Sequence, residues 1–233
     1  MMEAKIRKPA VAGSFYAGDA KELRQDVQNC FSRCKNPLME NVQAVIVPHA
    51  GYVFSGVTAA SAFAAINPDA EYEHIFLLGP SHHVYLGKAS VNTGASAYAT
   101  PLGNVPVDTA LCKDLMEKSD AITYAPEAHE SEHCLEVELP FLQYHMKKIP
   151  SIVPIIIATL ELTTLKKIAD TLKPYLNEKN LFVISSDFSH YPAYKDAEII
   201  DGLTKDSIMT GKVEAFVNTT LHNQELCIDH LAT

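Results

Sequence analysis

The sequence predicts an α/β fold, a three-layer architecture in which a mainly parallel or mixed sheet is flanked by helices. Short apolar runs rich in β-branched residues recur along the chain, helical patterns separate them, and a turn former closes each run. The chain has 233 residues, of which 47% are hydrophobic and 20% are charged. A chain of this size buries a core without needing a disulfide or a metal to hold it together. Because no repeat or linker-like composition interrupts the pattern, we expect one domain over residues 1–233.

Four apolar runs are typical of strands that are buried on both faces of a sheet. In chain order they are AVIVPH at 44–49, HIFLLGP at 74–80, SIVPIIIATL at 151–160 and LFVISSD at 181–187. Helical patterns occupy 17–31, 55–66, 108–118 and 162–176, and the first and third contain an aspartate where a helix cap is expected. This alternation predicts parallel strands that are connected by helices.

Composition narrows the classes of partner. The formal net charge is -9 and no cluster of lysine and arginine offsets it, which argues against binding to nucleic acid or to anionic membranes. No stretch has the apolar length of a membrane helix, and the N-terminal residues lack the apolar run of a secretory signal. An odd number of scattered cysteines is typical of reduced thiols and predicts a cytoplasmic protein. The cysteines are Cys30, Cys34, Cys112, Cys134 and Cys227.

Histidines follow three of the four predicted strands. His49 ends the first, His82 and His83 end the second, and Asp187 and His190 end the fourth, whereas the third ends without such a residue. Because the carboxyl ends of parallel strands share one edge of a sheet, we expect these side chains to meet in a ligand cleft. Imidazole nitrogens suit iron, zinc, copper or nickel, and a neighbouring aspartate orients a histidine or accepts a proton. The alternative is that the histidines satisfy buried backbone groups and bind nothing.

The stretch HESEH at 129–133 is a literal match to the H-E-x-x-H pattern of zinc proteases. In those enzymes the pattern lies inside an amphipathic helix, but here a proline precedes it and the apolar pattern begins only after it. We therefore interpret it as the start of a short helix, with Ser131 or Glu130 near the cap. Three side chains of this region are expected to line the histidine cleft, namely Glu132, His133 and Glu136.

Five motifs together carry a family resemblance. In chain order they are AGSFY at 12–16, PHAGYVFSG at 48–56, LGPSHHV at 78–84, HESEHCLEVELPF at 129–141 and SSDFSHY at 185–191. They resemble the Memo-like family, which in prokaryotes is called AmmeMemoRadiSam system protein B and whose animal member is a mediator of growth-factor-receptor-driven cell motility. The resemblance extends from Lys8 to Cys227. It implies the LigB-like fold of class III extradiol dioxygenases, enzymes that cleave catechol-type rings with non-heme Fe(II).

The resemblance also implies a metal site. The first two metal ligands of the family match His49 and His82, and the third, a cysteine in the animal member, matches Cys227. Fe(II) is the expected cofactor, with copper or zinc as alternatives. A thiolate in place of the dioxygenase carboxylate makes the site softer, more favourable to copper and more easily oxidised.

One function that follows is a metal-dependent, dioxygenase-like oxidoreductase. His190 matches the acid–base histidine of the dioxygenases and Asp187 matches its neighbour, so we expect both to be catalytic. We assign a catalytic role to His133 as well. The expected binding residues are Tyr52, His83, Glu132 and Ser186.

The second function is a non-catalytic module that binds a phosphopeptide, a small molecule or a partner protein. The resemblance implies a radical-SAM protein and an AMMECR1-type protein as partners in prokaryotes, and a signalling partner in animals. Members of the family continue for another strand and helix beyond the position that matches Thr233, so we expect a C-terminal end that is shorter than theirs. The sheet edge that this leaves is expected to be covered by a second copy in a homodimer.

Overall fold

The structure is a computed structural model that describes residues 5–34 and 38–226. The chain divides into two compact units, one that ends at Ser186 and one that begins at Asp187. The expectation of a single domain stays a prediction, and each unit is described by itself below.

The first unit contains nine strands and six α-helices among its described residues. The strands are β1 Ile6–Arg7, β2 Ala44–Val47, β3 His74–Pro80, β4 Lys88–Val91, β5 Ala97–Thr100, β6 Gly103–Pro106, β7 Ile122–Thr123, β8 Ser151–Ala158 and β9 Asn180–Ser185. The α-helices are α1 Ala20–Ser32, α2 Tyr52–Phe63, α3 Thr109–Lys118, α4 Glu127–Glu130, α5 Leu139–His145 and α6 Leu162–Leu172. Two 3₁₀ helices span Glu136–Glu138 and Lys173–Tyr175.

The main sheet has six strands in the order β2-β9-β3-β8-β4-β7. The first four are parallel to one another, β4 runs antiparallel to β8, and β7 is parallel to β4. A smaller sheet of three strands has the order β1-β5-β6, with β5 and β6 antiparallel. An α/β fold with a mainly parallel, mixed sheet is therefore confirmed.

Strand burial follows position in the sheet. The central strands β3, β8 and β9 are buried along most of their length, as their continuous apolar runs predict. Within the part of the chain that the structure describes, β2 pairs only with β9, and its residues Ala44 and Ile46 are exposed. The expectation that this run is buried on both faces is wrong, because β2 is an edge strand of the described sheet and the face that carries Ala44 and Ile46 is exposed. Its apolar composition alone does not reveal that position.

Two crossover connections place helices on both faces of the sheet. The connection from β2 to β3 passes through α2 and moves two positions along the sheet, whereas the connection from β8 to β9 passes through α6 and moves two positions back. Since such crossovers are right-handed, opposite directions put α2 and α6 on opposite faces. Helices α1 and α5 contact α2 and lie in its layer. The carboxyl ends of β2, β9, β3 and β8 share one edge.

The predicted helix caps can be compared with the helix starts. Asp19 caps α1 by accepting from the amides of Lys21 and Glu22, and Asp108 caps α3 by accepting from the amide of Leu111. Helix α2 begins at Tyr52, three residues before the predicted start. Its N-cap is a glycine without a side-chain cap bond, so the sequence carries no local signal for that start.

The second unit contains two helices among its described residues, α7 Tyr194–Met209 and α8 Val213–Leu226, which pack against each other. Upstream of them, the amide of Ser189 donates to the carboxylate of Asp201 at 3.0 Å, which joins the segment after β9 to α7. Throughout the described ranges, no helix combines the length and the apolar character that crossing a membrane requires.

Candidate metal centre

Three imidazoles meet at the carboxyl edge of the main sheet. His49 follows β2, His82 follows β3, and His133 lies between α4 and the first 3₁₀ helix. One ligand atom from each lies within 4.8 Å of the others. The ring centroid of His49 is 5.2 Å from that of His82 and 5.6 Å from that of His133, and the last two are 4.5 Å apart. We call these three residues the histidine cluster.

The orientation of His49 is set by a buried serine. His49 is 3% exposed, and its Nδ1 lies 2.7 Å from the Oγ of Ser185, the last residue of β9. That hydroxyl donates to the carbonyl of Cys134 at 2.7 Å and is 3.1 Å from Oε1 of Glu138. Because a hydroxyl has one proton and a carbonyl can only accept, His49 Nδ1 is the donor to Ser185. The lone pair of His49 is then on Nε2.

The orientation of His82 is set by a buried carboxylate. The amide of His82 donates to Oε2 of Glu132 at 2.7 Å, and its Nδ1 is 2.8 Å from Oε1. Oε1 also accepts from the amides of His133 at 2.9 Å and Cys134 at 3.2 Å. Burial raises the pKa of Glu132, but the hydrogen bonds from His82 and from Cys134 outweigh it and bring that pKa to about 2. Glu132 is therefore charged at neutral pH, Nδ1 of His82 donates to it, and Nε2 carries the lone pair.

The same carboxylate lies beside the third imidazole. Nδ1 of His133 is 3.3 Å from Oε1 of Glu132, and the ring of Phe15 is 4.8 Å from the His133 ring. Phe15 belongs to the N-terminal arm, defined here as residues 7–16. One buried carboxylate thus touches two members of the histidine cluster, and an aromatic ring of the arm packs on the second of them.

A buried arginine ties the N-terminal arm to the segment that carries His133. Arg7 is 5% exposed and pairs with Glu136, which is fully buried. The Nε of Arg7 donates to the carbonyl of His129 at 2.8 Å, and its Nη2 donates to the carbonyl of Glu132. Arg7 therefore fixes two carbonyls of the stretch that brings Glu132 and His133 to the site.

Glu136 belongs to the core, which corrects the expectation that it lines the histidine cleft. Besides Arg7, its carboxylate accepts from the amide of Ala10 at 2.7 Å, the amide of Val11 at 3.1 Å and the hydroxyl of Tyr16 at 2.6 Å. Burial and then this hydrogen bond raise the pKa of Tyr16, so the hydroxyl remains a donor. The carboxylate is oriented inward because all of these donors lie there.

The H-E-x-x-H pattern does not form a zinc-protease helix. Helix α4 ends at Glu130, and Ser131 is its C-cap rather than the cap of a following helix, so that expectation is wrong as well. His129 is buried, with Nε2 at 3.0 Å from Ser90 Oγ and Nδ1 at 3.1 Å from the Tyr98 hydroxyl. Burial, and after it the charge of Arg7, lower the pKa of His129 to about 3. Among the described residues, none of the groups that could hold a metal includes His129.

Two other groups of described residues could also hold a metal. Both contain Glu132, the carboxylate that orients His82 in the histidine cluster. One contains His82, Glu132 and Cys134, and the other contains His83, Glu132 and His133. In both groups the ligand would be the Glu132 carboxylate, which already accepts four hydrogen bonds from protein groups. Burial raises the pKa of the Cys134 thiol well above its usual value, which keeps it protonated and a poor ligand. The chemistry therefore favours the histidine cluster.

The remaining expected residues lie in several places. His83 is exposed beside Glu132 and His133, and the amide of Ser186 donates to the carbonyl of Val47 at 2.8 Å. Tyr52 is buried, and its hydroxyl donates to the carbonyl of Val137 at 2.6 Å. The binding roles assigned to these residues stay predictions.

Three further expected residues fall outside the first unit. Asp187 and His190 belong to the second unit, on the segment between β9 and α7, where Asp187 is half-buried and His190 is exposed. The ring of His190 is 6.2 Å from that of Tyr191. Cys227 lies outside the described residues. The catalytic and metal-binding roles of these residues stay predictions.

Sequence reasoning missed the residues that hold the cluster in place. Ser185 stands next to the expected Ser186 and offers a partial signal, because a polar residue at the carboxyl end of a parallel strand is a candidate site residue. Arg7 offers no signal, since its partner Glu136 is 129 positions away. Such pairs become visible only when the chain is folded.

The donor set fits a transition-metal ion. The cluster offers imidazole nitrogens, which suit iron, copper and zinc far better than magnesium or calcium. Two of the imidazoles have Nδ1 bound to a protein acceptor, the usual way in which a protein prepares Nε2 for a metal.

Comparisons with known proteins agree in one family. A family model described as Memo-like protein matches residues 7–229. A MEMO1 family protein of Methanopyrus kandleri is 35% identical over 214 residues, which cover 85% of this chain and 75% of that protein. A MEMO1 family protein of Schizosaccharomyces pombe is 38% identical over 198 residues, which cover 82% of this chain and 62% of that protein. A MEMO1 family protein of Nitrosopumilus maritimus is 33% identical over 228 residues, which cover 94% of this chain and 81% of that protein. The chain thus spans less than two thirds of the Schizosaccharomyces pombe relative.

Proposed function

The chain belongs to the Memo-like protein family, and from that premise we propose that it is a metal-binding protein with an extradiol-dioxygenase-like, LigB-like cleft. The histidine cluster holds a transition metal, Fe(II) in preference to copper or zinc, and supports oxidoreductase chemistry. The observation that carries the proposal is the buried, charged Glu132 that accepts from Nδ1 of His82 at 2.8 Å.

The residues of the chain prepare the site in a defined way. Glu132 and Ser185 fix the rings of His82 and His49 through Nδ1, which places the lone pair of each ring on Nε2. A carboxylate behind a histidine also raises the basicity of the coordinating nitrogen. When bound, an iron or copper ion supplies Lewis-acid and electron-transfer chemistry.

We assign the third nitrogen to His133. Its ligand atom lies within 4.8 Å of those of His49 and His82, which favours a ligand role over the catalytic role that the sequence predicted. The family resemblance gives Cys227 the role of a thiolate donor, and that role stays a prediction.

We assign proton transfer to His190, with Asp187 as its supporting carboxylate. Imidazole is the side chain that enzymes use most often as a general acid or base, which suits proton transfer to or from a phenolic or other small-molecule substrate. A direct test is oxygen uptake with catechols and other phenols after Fe(II) loading. Turnover that exceeds a His190→Ala protein supports the assignment, and turnover equal to it overturns the assignment.

The metal site itself is tested by elemental mass spectrometry of protein purified anaerobically without an affinity-metal step. We expect about one iron or copper per wild-type chain and loss of the metal in the three alanine variants of the cluster, His49→Ala, His82→Ala and His133→Ala. The matched control is His145→Ala, because Nε2 of His145 bonds the carbonyl of Ile66 at 2.7 Å, outside the cluster. A wild-type protein that is empty and refuses added Fe(II) and Cu overturns the proposal.

A protein-binding role is the second candidate, and one surface feature favours it. Val53 and Phe54 in the first turn of α2 are each 85% exposed, directly after the loop that carries His49. Apolar side chains exposed beside a cleft are typical of interaction sites. The test is co-purification with radical-SAM and AMMECR1-type proteins. Retention by His49→Ala together with loss in Phe54→Ser favours this role, and the reverse result opposes it.

A further inference from the structure

Ser185 occupies a position that is fixed by the register of the main sheet. It is the last residue of β9 and lies opposite Val47, the last residue of β2, in the parallel pairing of these strands. His49 comes two residues after Val47, so the register itself brings its ring to the Ser185 hydroxyl. Ser185 is 2% exposed, which shields this contact from water.

The hydrogen bonds around this hydroxyl leave one arrangement of protons. Oγ has Nδ1 of His49 and the carbonyl of Cys134 both at 2.7 Å, with Oε1 of Glu138 at 3.1 Å. The carbonyl cannot donate, so the single hydroxyl proton is directed towards it and shared with Glu138. Oγ must therefore accept from His49, which requires a proton on Nδ1.

We infer that Ser185 is a positioning residue that selects the Nδ1–H tautomer of His49 and thereby makes Nε2 its metal-binding nitrogen. The inference rests on the proposed metal site and deepens it. Glu132 does the same for His82 with a charged acceptor. Two different groups thus fix the tautomers of the cluster. The Glu132 carboxylate fixes that of His82, after β3, and the Ser185 hydroxyl at the end of β9 fixes that of His49.

The experiment observes the imidazoles of metal-free protein by ¹⁵N NMR of labelled histidine. We expect wild-type His49 to show the Nδ1–H pattern and Ser185→Ala to lose it. Ser185→Thr keeps a hydroxyl and is expected to keep the tautomer. In parallel, Co(II) is titrated anaerobically, and Ser185→Ala is expected to bind it about 10- to 100-fold more weakly, the usual effect of removing an outer partner of a ligating histidine.

A matched control removes a different buried serine that also contacts a histidine. Ser90 Oγ lies 3.0 Å from Nε2 of His129, which is outside the cluster. Ser90→Ala is expected to leave the His49 pattern and the Co(II) affinity at wild-type values. Thermal unfolding of all variants shows whether each is folded.

The outcomes separate this inference from the proposed function. An unchanged His49 tautomer in folded Ser185→Ala overturns the inference, whatever the metal result. A shifted tautomer with unchanged Co(II) affinity overturns the positioning role. A wild-type protein that binds no Co(II) counts against the proposed metal site, while the tautomer of metal-free His49 is still decided by NMR.

Discussion

Glu132 holds His82 through two hydrogen bonds, from the backbone amide to Oε2 at 2.7 Å and from Nδ1 to Oε1 at 2.8 Å. The two contacts fix both the start of the loop after β3 and the rotation of the imidazole. Glu132 comes from a distant part of the chain, 50 positions further on. The carboxylate therefore determines how His82 faces the other two imidazoles.

Replacing Glu132 with glutamine is expected to weaken metal binding. The amide nitrogen of glutamine cannot accept, so either Nδ1 or the backbone amide of His82 loses its acceptor. We expect Co(II) affinity to fall by about 10- to 100-fold in Glu132→Gln, measured by anaerobic titration. Glu130→Gln is the control, because Glu130 is exposed and pairs with Lys5. Equal affinity in both variants would show that Glu132 is not an orienting group.

Replacing Arg7 with methionine is expected to destabilise the fold. The substitution leaves the buried Glu136 charge without its partner and strips two carbonyl groups of their donor. Breaking a buried pair in this way costs about 3–5 kcal/mol in the free energy of unfolding. Urea unfolding measures the loss. Lys5→Met, which removes an exposed ion pair between neighbouring segments, is expected to leave the unfolding midpoint nearly unchanged.

The free energy of unfolding is expected to depend on pH through the titration of His129. Its pKa is about 3 in the folded protein and 6.5 for the ordinary imidazole, so at intermediate pH the unfolded chain binds the extra proton. The free energy of unfolding therefore falls as the pH falls below 6.5. At pH 5 the expected loss is about 2 kcal/mol, since one pKa unit corresponds to roughly 1.4 kcal/mol.

The measurement for His129 is urea unfolding at pH 7 and pH 5, for wild type and His129→Gln. Titration of all other groups is common to the two proteins, so the difference between their pH effects isolates this imidazole. We expect the wild-type loss between the two pH values to exceed that of the variant by about 2 kcal/mol. An equal loss in both proteins would assign the effect to other groups.

Substitution of Gly79 by alanine is expected to disturb the segment behind the cluster. A Cβ on Gly79 would lie 2.5 Å from Sγ of Cys134 and 3.0 Å from Cδ2 of Leu135. Such overpacking costs about 1–3 kcal/mol in the free energy of unfolding. Cys134→Ala removes the closer atom, so the double variant is expected to lose less than the sum of the single ones. Additive losses in a urea-unfolding cycle would contradict this contact.

The same substitution at Gly202 provides the control. Gly202 lies inside α7, and an added Cβ meets nothing within 4 Å. Gly202→Ala is therefore expected to raise the free energy of unfolding by about 0.5–1 kcal/mol, the usual gain for alanine in a helix interior. Destabilisation there would indicate that the glycine has another role.

Local pattern predicted the centre of the sheet well and its margins poorly. The run at 74–80 coincides with β3, and the run at 151–160 contains β8, because strands buried on both faces must be continuously apolar. The strand β4, Lys88–Val91, has only four residues and no distinctive alternation. Its antiparallel pairing with β8 depends on how the chain returns to the sheet, which no local pattern encodes.

The sequence by itself determined that His49 and His82 share one edge of a sheet, because strand ends follow from the local hydrophobic pattern and the alternation of strands with helices implies parallel neighbours. The sequence also placed His133 at the cleft, but only the tertiary structure decided that it is the third imidazole of the cluster and that His129 is not part of it. The tertiary structure also decided that Ser185 and Glu132 fix the ring orientations of His49 and His82 through Nδ1. The physical reason is that hydrogen-bond partners far apart in the chain are chosen by register and packing, whereas strand formation is chosen by neighbours along the chain.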